Sequence, residues 1–585
     1  MAATTAMANR HIVSTILHHL SDMKYKERRQ YGPDQPVEFL EFRPTLVPAI
    51  LVNRLWADEG TAVLWRRYPR LPALKIIAPD RRQYYADKVQ RVFVVNSPAG
   101  SMEYLDGLQW PNLRTLESGV DFARHGEEFR SMLHGGLKHL ELSGYQSGDS
   151  RHFENEVLPV VYSLCTGLES IRIGPEIISE DDSLHVIALY DLLDSVPSVT
   201  NIELKSTNLV GRDTLFTRLS QRPSLEGLEI DLDPGLTLVP LLSQPEATMF
   251  LALKRLSIIC YPEVAIALPQ QLSNIEELRL DISRIPSQPL HDDLDQDLLD
   301  SVLSQLTTCQ NLRLLQVGIS QLTEEFPSAR LCPRLSGDIL VKLSGFCPAL
   351  EDINILVIEP SAIDGANIST EEFDAFCRNL PRLRALTLKL NPVTTVVLAV
   401  TALQSLGSHC RDLETVRLKL PCELPNLRIS KAIPRIFING QAAGGTSQPV
   451  EPPAQYVSSL FPNLTHLAIV RPKTALYTND TYSAPLIDAD LEEDIVRSWA
   501  YPLLTHFPRL KILEAWGDYS GSESESLNYF LPTEEILAST WEFLSGVEQD
   551  LWEGDEAEDN SSWHTWDSGE DWDKAELMDE FMPDY

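Results

Sequence analysis

A short motif recurs along this chain, and that repetition limits the possible fold more than any other feature. It appears as Pro111-Asn-Leu-Arg-Thr-Leu116, Gly136-Leu-Lys-His-Leu-Glu-Leu142 and Cys165-Thr-Gly-Leu-Glu-Ser-Ile-Arg-Ile173, and again as Pro223-Ser-Leu-Glu-Gly-Leu-Glu-Ile230, Cys347-Pro-Ala-Leu-Glu-Asp-Ile-Asn-Ile355 and Phe507-Pro-Arg-Leu-Lys-Ile-Leu513. There are 14 such units, anchored at Val89, Leu113, Leu137, Leu168, Val199, Leu225, Leu253, Ile275, Leu312, Leu350, Leu383, Leu413, Leu464 and Leu510. Three residues after each anchor stands an aliphatic side chain. Five after it stands Val, Ile or Leu, except at Ser118 and Ala515. The position directly after the anchor, which did not define the frames, is polar every time, from Gln90 and Arg114 to Lys511.

Alternation of period two predicts a strand with one buried face. The anchors lie 22 to 51 residues apart, averaging about 32, which leaves room for a returning helix in each unit. Apolar stripes at Leu298–Leu306 and Phe373–Leu380 supply such helices, and Pro or Cys stops them shortly before the next anchor. The expected fold is an α/β solenoid, with parallel strands on a concave face and helices on a convex one. Each unit buries three or four aliphatic side chains at ~1.5–3 kcal/mol apiece, but only against its neighbours.

Net charge over the 585 residues is -35 and no basic stripe appears, which argues against a nucleic-acid surface. No apolar run approaches the ~18 residues of a membrane span, and Met1 to Arg10 carries no secretory h-region. Neither nucleic acid nor membrane is therefore expected as a partner. Eight cysteines without a CxxC pair suggest neither a disulfide scaffold nor a zinc site, so the expected setting is reducing, cytoplasmic or nuclear. Cys165, Cys309, Cys347 and Cys410 each lie three residues before an anchor, and packing beneath a helix end explains them better than metal or redox chemistry.

The arrangement resembles the leucine-rich-repeat family, and its C-x-x-L-x-x-L-x-L form resembles the cysteine-containing, F-box-associated branch, over roughly residues 85–518. The segment in front is different. Ile12, Ile16, Leu17 and Leu20 recur at helical spacing. A polar stretch from Ser21 to Arg43 follows, and then Leu46-Val-Pro-Ala-Ile-Leu-Val52-Asn-Arg54-Leu-Trp56 and Leu64-Trp-Arg66. These residues resemble the F-box, a helical module that docks on the Skp-type adaptor of a cullin (SCF-type) ubiquitin ligase. Ile16-Leu17-His18-His19-Leu20 matches its I-L-x-x-L core. Leu46, Val52, Arg54 and Trp56 match L-x5-V-C-R-x-W with Asn53 in place of Cys, and Leu64-Trp65-Arg66 matches the closing L-W-R. The opening Leu-Pro is absent, and the stretch between helices is about fifteen residues longer than usual in the family. The resemblance implies adaptor binding through Ile12, Ile16, Leu17, Leu20, Leu46, Val52, Trp56, Leu64 and Trp65. The alternative is a helical cap that seals the first repeat.

Three divisions follow: a helical module over 1–70, about 14 irregular repeats over 71–545, and an acidic tail over 546–585. Arg435 to Val457 is Gly/Pro-rich and reads as a flexible insertion near 436–457. Pro286–Asp297 and Asp480–Asp494 read as further polar insertions. The tail carries 15 acidic residues, one Lys and Trp552, Trp563, Trp566 and Trp572, too few aliphatics for a core. No GxSxG, HExxH, P-loop or strand-borne GxGxxG occurs, so neither catalysis, cofactor nor metal is expected. Residues two and four after each anchor are expected to face outward. On that face Glu117, Glu141, Arg172, Glu203, Glu229, Arg279 and Arg417 are the candidate target contacts, and the acidic early members suggest a protein target with a basic segment.

Overall fold

The computed structural model of the chain describes residues 8–22, 25–28, 37–40, 46–95, 101–143, 150–177, 182–205, 208–232, 235–244, 249–284, 296–321, 332–357, 362–427, 459–474, 476, 489–516, 527–531 and 535–546. The insertion expected near 436–457 and all of the acidic tail beyond residue 546 lie outside them, as do most of the two other expected insertions. Two compact units divide the described chain, residues 8–232 with Phe250–Ile258, and residues 235–249 with 259–546. Each is α/β and solenoid-like, built on a mostly parallel sheet with helices between successive strands.

The first unit opens with three helices, α1 (Arg10–Asp22), α2 (Val47–Ile50) and α3 (Arg54–Arg66). Val13, Leu17, Leu46, Trp56 and Val63 form their core, with Ile16, Leu20, Ala49, Ile50 and Leu55 packed around it. Helix α3 begins where it does because the Asn53 side chain accepts the Trp56 N–H at 3.1 Å, satisfying a donor that the first turn leaves without a partner. Between α1 and α2, where only a polar stretch was expected, Tyr25–Arg28 pairs antiparallel with Val37–Leu40.

Strands then follow in parallel order: β1 (Arg91–Val95), β2 (Thr115–Gly119), β3 (His139–Leu142), β4 (Ser170–Ile173), β5 (Asn201–Leu204) and β6 (Gly227–Asp231). A further strand, β7 (Arg255–Cys260), contributes its first four residues to this unit.

In the second unit β8 (Glu277–Arg284), β9 (Leu314–Gln321), β10 (Asp352–Val357), β11 (Ala385–Leu388), β12 (Thr415–Leu418), β13 (His466–Ile469) and β14 (Ile512–Ala515) pair in parallel, again in chain order. A last strand, β15 (Leu527–Phe530), lies antiparallel on β14 and is followed by a helix over Ile536–Ser545. The antiparallel strand covers the hydrogen-bonding edge that β14 would otherwise present. No repeat motif announces it.

Every one of the fourteen parallel strands begins two residues after its anchor. The anchors are all buried, none above 8% exposed. Burial alternates along most strands (iBiB in β4, β5 and β12), so the third and fifth residues after the anchor enter the core and the second and fourth do not, whereas β11, β13 and β14 bury their fourth position as well. Helices Leu298–Gln305 and Thr370–Asn379 fall on the expected stripes. No helix among the described residues is long and apolar enough to cross a membrane.

Candidate interaction surfaces

Parallel pairing in register turns one residue per repeat into a continuous row. In the first unit the fourth residues after the anchors run Phe93, Glu117, Glu141, Arg172, Glu203 and Glu229, each the direct partner of the next. In the second unit the row is Arg279, Gln316, Asn354, Thr387, Arg417, Ala468 and Glu514. The candidate target contacts therefore share one repeat position, five of them in the first unit and two in the second.

The first row is open and incompletely neutralised. Phe93 and Val95 stand half exposed on β1. Arg172 lies 3.5 Å from both Glu141 and Glu203, so one guanidinium is shared between two carboxylates. Lys205 reaches Glu229 at 3.4 Å, and the Tyr68 hydroxyl donates to Glu117 at 2.7 Å. Tyr68 holds a left-handed backbone with φ 47°, unusual for an aromatic residue, while its N–H donates to the Arg91 carbonyl on β1. Burial pushes Glu141 above the usual carboxylate range. Arg172 and Lys205 counter that push and Glu117 adds to it. Burial likewise raises Glu229, with Lys205 opposing and Glu203 assisting.

The second row closes on itself. Arg417 donates to Glu514 twice, at 3.1 and 2.7 Å, spanning the small Ala468 that separates them in the row. His466 Nε2 lies 2.7 Å from the same carboxylate, and the Arg417 guanidinium sits over the Trp516 ring at 4.7 Å. Burial alone would raise Glu514, but the hydrogen bonds and charges of His466 and Arg417 bring it down to about 2. Thr387, Ala468 and Glu514 are all buried. Arg279 at the row's other end is half-buried.

The helical module separates two kinds of apolar residue. Of the nine expected adaptor contacts, Leu17, Leu46 and Trp56 are in its core, and Trp65 is buried with its ring 4.8 Å from that of Tyr85. Ile16 and Leu20 pack against the core from outside. Ile12, Val52 and Leu64 face solvent, and with them stand Val47 and the 77%-exposed Leu51, which the motif match did not mark. Asn53, the departure from the family pattern, bears on Leu51 and Val52. Its capping of α3 confines Leu51 and Val52 to the turn between two helices, outside either packing face.

Two further features are structural. Cys165, Cys309, Cys347 and Cys410 each cap a helix C-terminus. Three of these thiols donate to a carbonyl of the preceding repeat: Cys309 to Leu272 and Cys347 to Cys309, both at 3.3 Å, and Cys410 to Cys377 at 3.4 Å. Burial pushes Cys165 and Cys347 up to about 12, so these sulfurs stay protonated. The polar positions just after the anchors pair across repeats, as Lys138–Glu169 at 2.7 Å, Lys254–Glu226 at 3.4 Å, Arg313–Glu351 at 2.9 Å and Arg384–Glu414. Exposed pairs of this kind add ~0–1 kcal/mol each.

No protein-family model matches the chain, and no curated protein matches it. Among solved structures, one described as "Crystal structure of Rad7 and Elc1 complex in yeast" aligns over 78% of this chain and 87% of that chain, with a TM-score of 0.33 and 12% identity.

Proposed function

We propose that the chain is a non-catalytic receptor of the F-box and leucine-rich-repeat kind. Its helical module docks on a Skp-type adaptor, and its strand face holds a target protein for a cullin ubiquitin ligase. The transfer chemistry belongs to other subunits, no cofactor is needed, and the setting is the cytoplasm or nucleus. The observation that carries this reading is the division within the helical module. Its core is complete without Val47, Leu51, Val52 and Leu64, yet these large apolar side chains remain in water. On so small a module they fit a docking surface better than a packing role.

Affinity capture with the full-length chain tests it. Wild type retains the Skp-type adaptor, and Leu51→Asp with Val52→Asp abolishes retention without loss of folding, because both side chains are already solvated. Failure of the folded wild type to retain the adaptor contradicts the proposal.

One observation favours the cap as a second reading. The chain leaving α3 continues the sheet: Gln90 N donates to the Arg66 carbonyl at 2.9 Å, and Arg67 bridges to Arg91 in parallel. In that reading the aspartate variants change nothing, whereas removal of residues 1–70 exposes the β1 edge and causes aggregation.

A further inference from the structure

The strand face of the first unit has a pattern finer than its charge, and it deepens the receptor reading on which it rests. Four carboxylates fall into two neighbouring pairs, Glu117 with Glu141 and Glu203 with Glu229, separated by the single strand that carries Arg172. Adjacent strands are ~4.8 Å apart, so the centres of the two pairs are about 14 Å apart. An extended chain laid across the strands advances ~3.3 Å per residue and covers that distance in about four residues. Phe93 and Val95 lie one strand beyond Glu117, about 7 Å from the centre of the first pair, or about two residues along the same extended chain. All of these intervals are even, so one face of a single extended segment meets every feature.

We propose that this face binds an extended segment of the partner protein with a large apolar side chain at one position, a basic side chain two residues later and a second basic side chain four residues after that. The residue midway between the basic ones faces Arg172 and is itself not basic. Charge complementarity identifies the occupant. The carboxylates of Glu141 and Glu229 are each raised by burial despite the cations beside them, and a cation supplied by the partner relieves that deficit. The row offers four carboxylates against Arg172 and Lys205.

Fluorescence anisotropy with the full-length chain at low ionic strength tests the spacing. The probes are seven-residue serine-based peptides. The first has Leu at position 1 and Lys at 3 and 7; the second moves the lysines to 3 and 4; the third adds a Lys at 5, opposite Arg172. The first binds about tenfold more tightly than either of the others. Glu141→Gln with Glu229→Gln removes that preference, while Glu127→Gln, an exposed change on the helix over Phe122–Arg130, preserves it. Equal binding of the first two peptides, or a preference that survives the double glutamine change, overturns the inference. Adaptor capture measured on the same proteins separates it from the receptor reading. Loss of peptide preference with adaptor capture intact removes this inference alone, and selective peptide binding without adaptor capture removes only the receptor reading.

Discussion

Glu141 and Glu229 occupy the same repeat position as Glu514, the fourth residue after an anchor, and the fold treats them in opposite ways. In the first unit the carboxylates are pushed above their ordinary range by burial that Arg172 and Lys205 do not fully offset. In the second, His466 and Arg417 converge on Glu514 and hold it at about 2. The repeat supplies a position, and the neighbours decide whether a charge there is spent inside the chain or left for a partner. We read the first unit's row as the surface that meets a target and the second unit's row as a structural tie. His139 and His466 make the same contrast two residues after their anchors, the one exposed and the other buried.

The largest expected effect is at the tie. Glu514→Gln keeps the shape but removes the buried carboxylate that the half-buried Arg417 and His466 converge on, and chemical denaturation should register a loss of about 3 kcal/mol. The pH dependence has a definite sign. Because the folded carboxyl is depressed from 4.5 to about 2, its contribution is present above the ordinary carboxylate value and is lost as pH falls toward 2. A smaller effect separates the two histidines. Carbethoxylation followed by mass spectrometry should modify His139 at least about tenfold faster than His466, since His466 requires a local opening first. Equal rates would mean that the second face is as open as the first.

Most of the ladder was legible in the sequence because its signal is local. An anchor, an aliphatic three residues on and a polar residue between them are enough to place a strand, and all fourteen begin where those positions put them. The cysteines beneath the helix ends were legible for the same reason, although the thiol-to-carbonyl bonds linking Cys347 to Cys309 and Cys410 to Cys377 were not. The closure at Glu514 could not be read locally. It depends on Ala468 being small enough for Arg417 to pass over, and Arg417 and Glu514 are 97 residues apart in the chain. Strand β15 escaped because an antiparallel end strand carries no anchor. In the helical module the motif match did not separate the residues of the core from those in solvent. Leu17 and Trp56 belong to its core, and its solvated apolar side chains include Leu51, in the turn just before the Asn53 cap.

The most direct test of the contrast between the two rows is thermal stability measured at neutral pH for wild type, Glu514→Gln and the double change Glu141→Gln with Glu229→Gln. Raised carboxyls contribute stability only below the ordinary carboxylate value and lose it as pH rises through their folded pKa, so removing the charge at neutral pH relieves a cost. The double change should therefore stabilise slightly, by less than about 1 kcal/mol because both side chains keep some solvent, while Glu514→Gln destabilises. Destabilisation of both proteins by similar amounts would contradict the account, since it would show the first unit's carboxylates to be as fully used by the fold as Glu514.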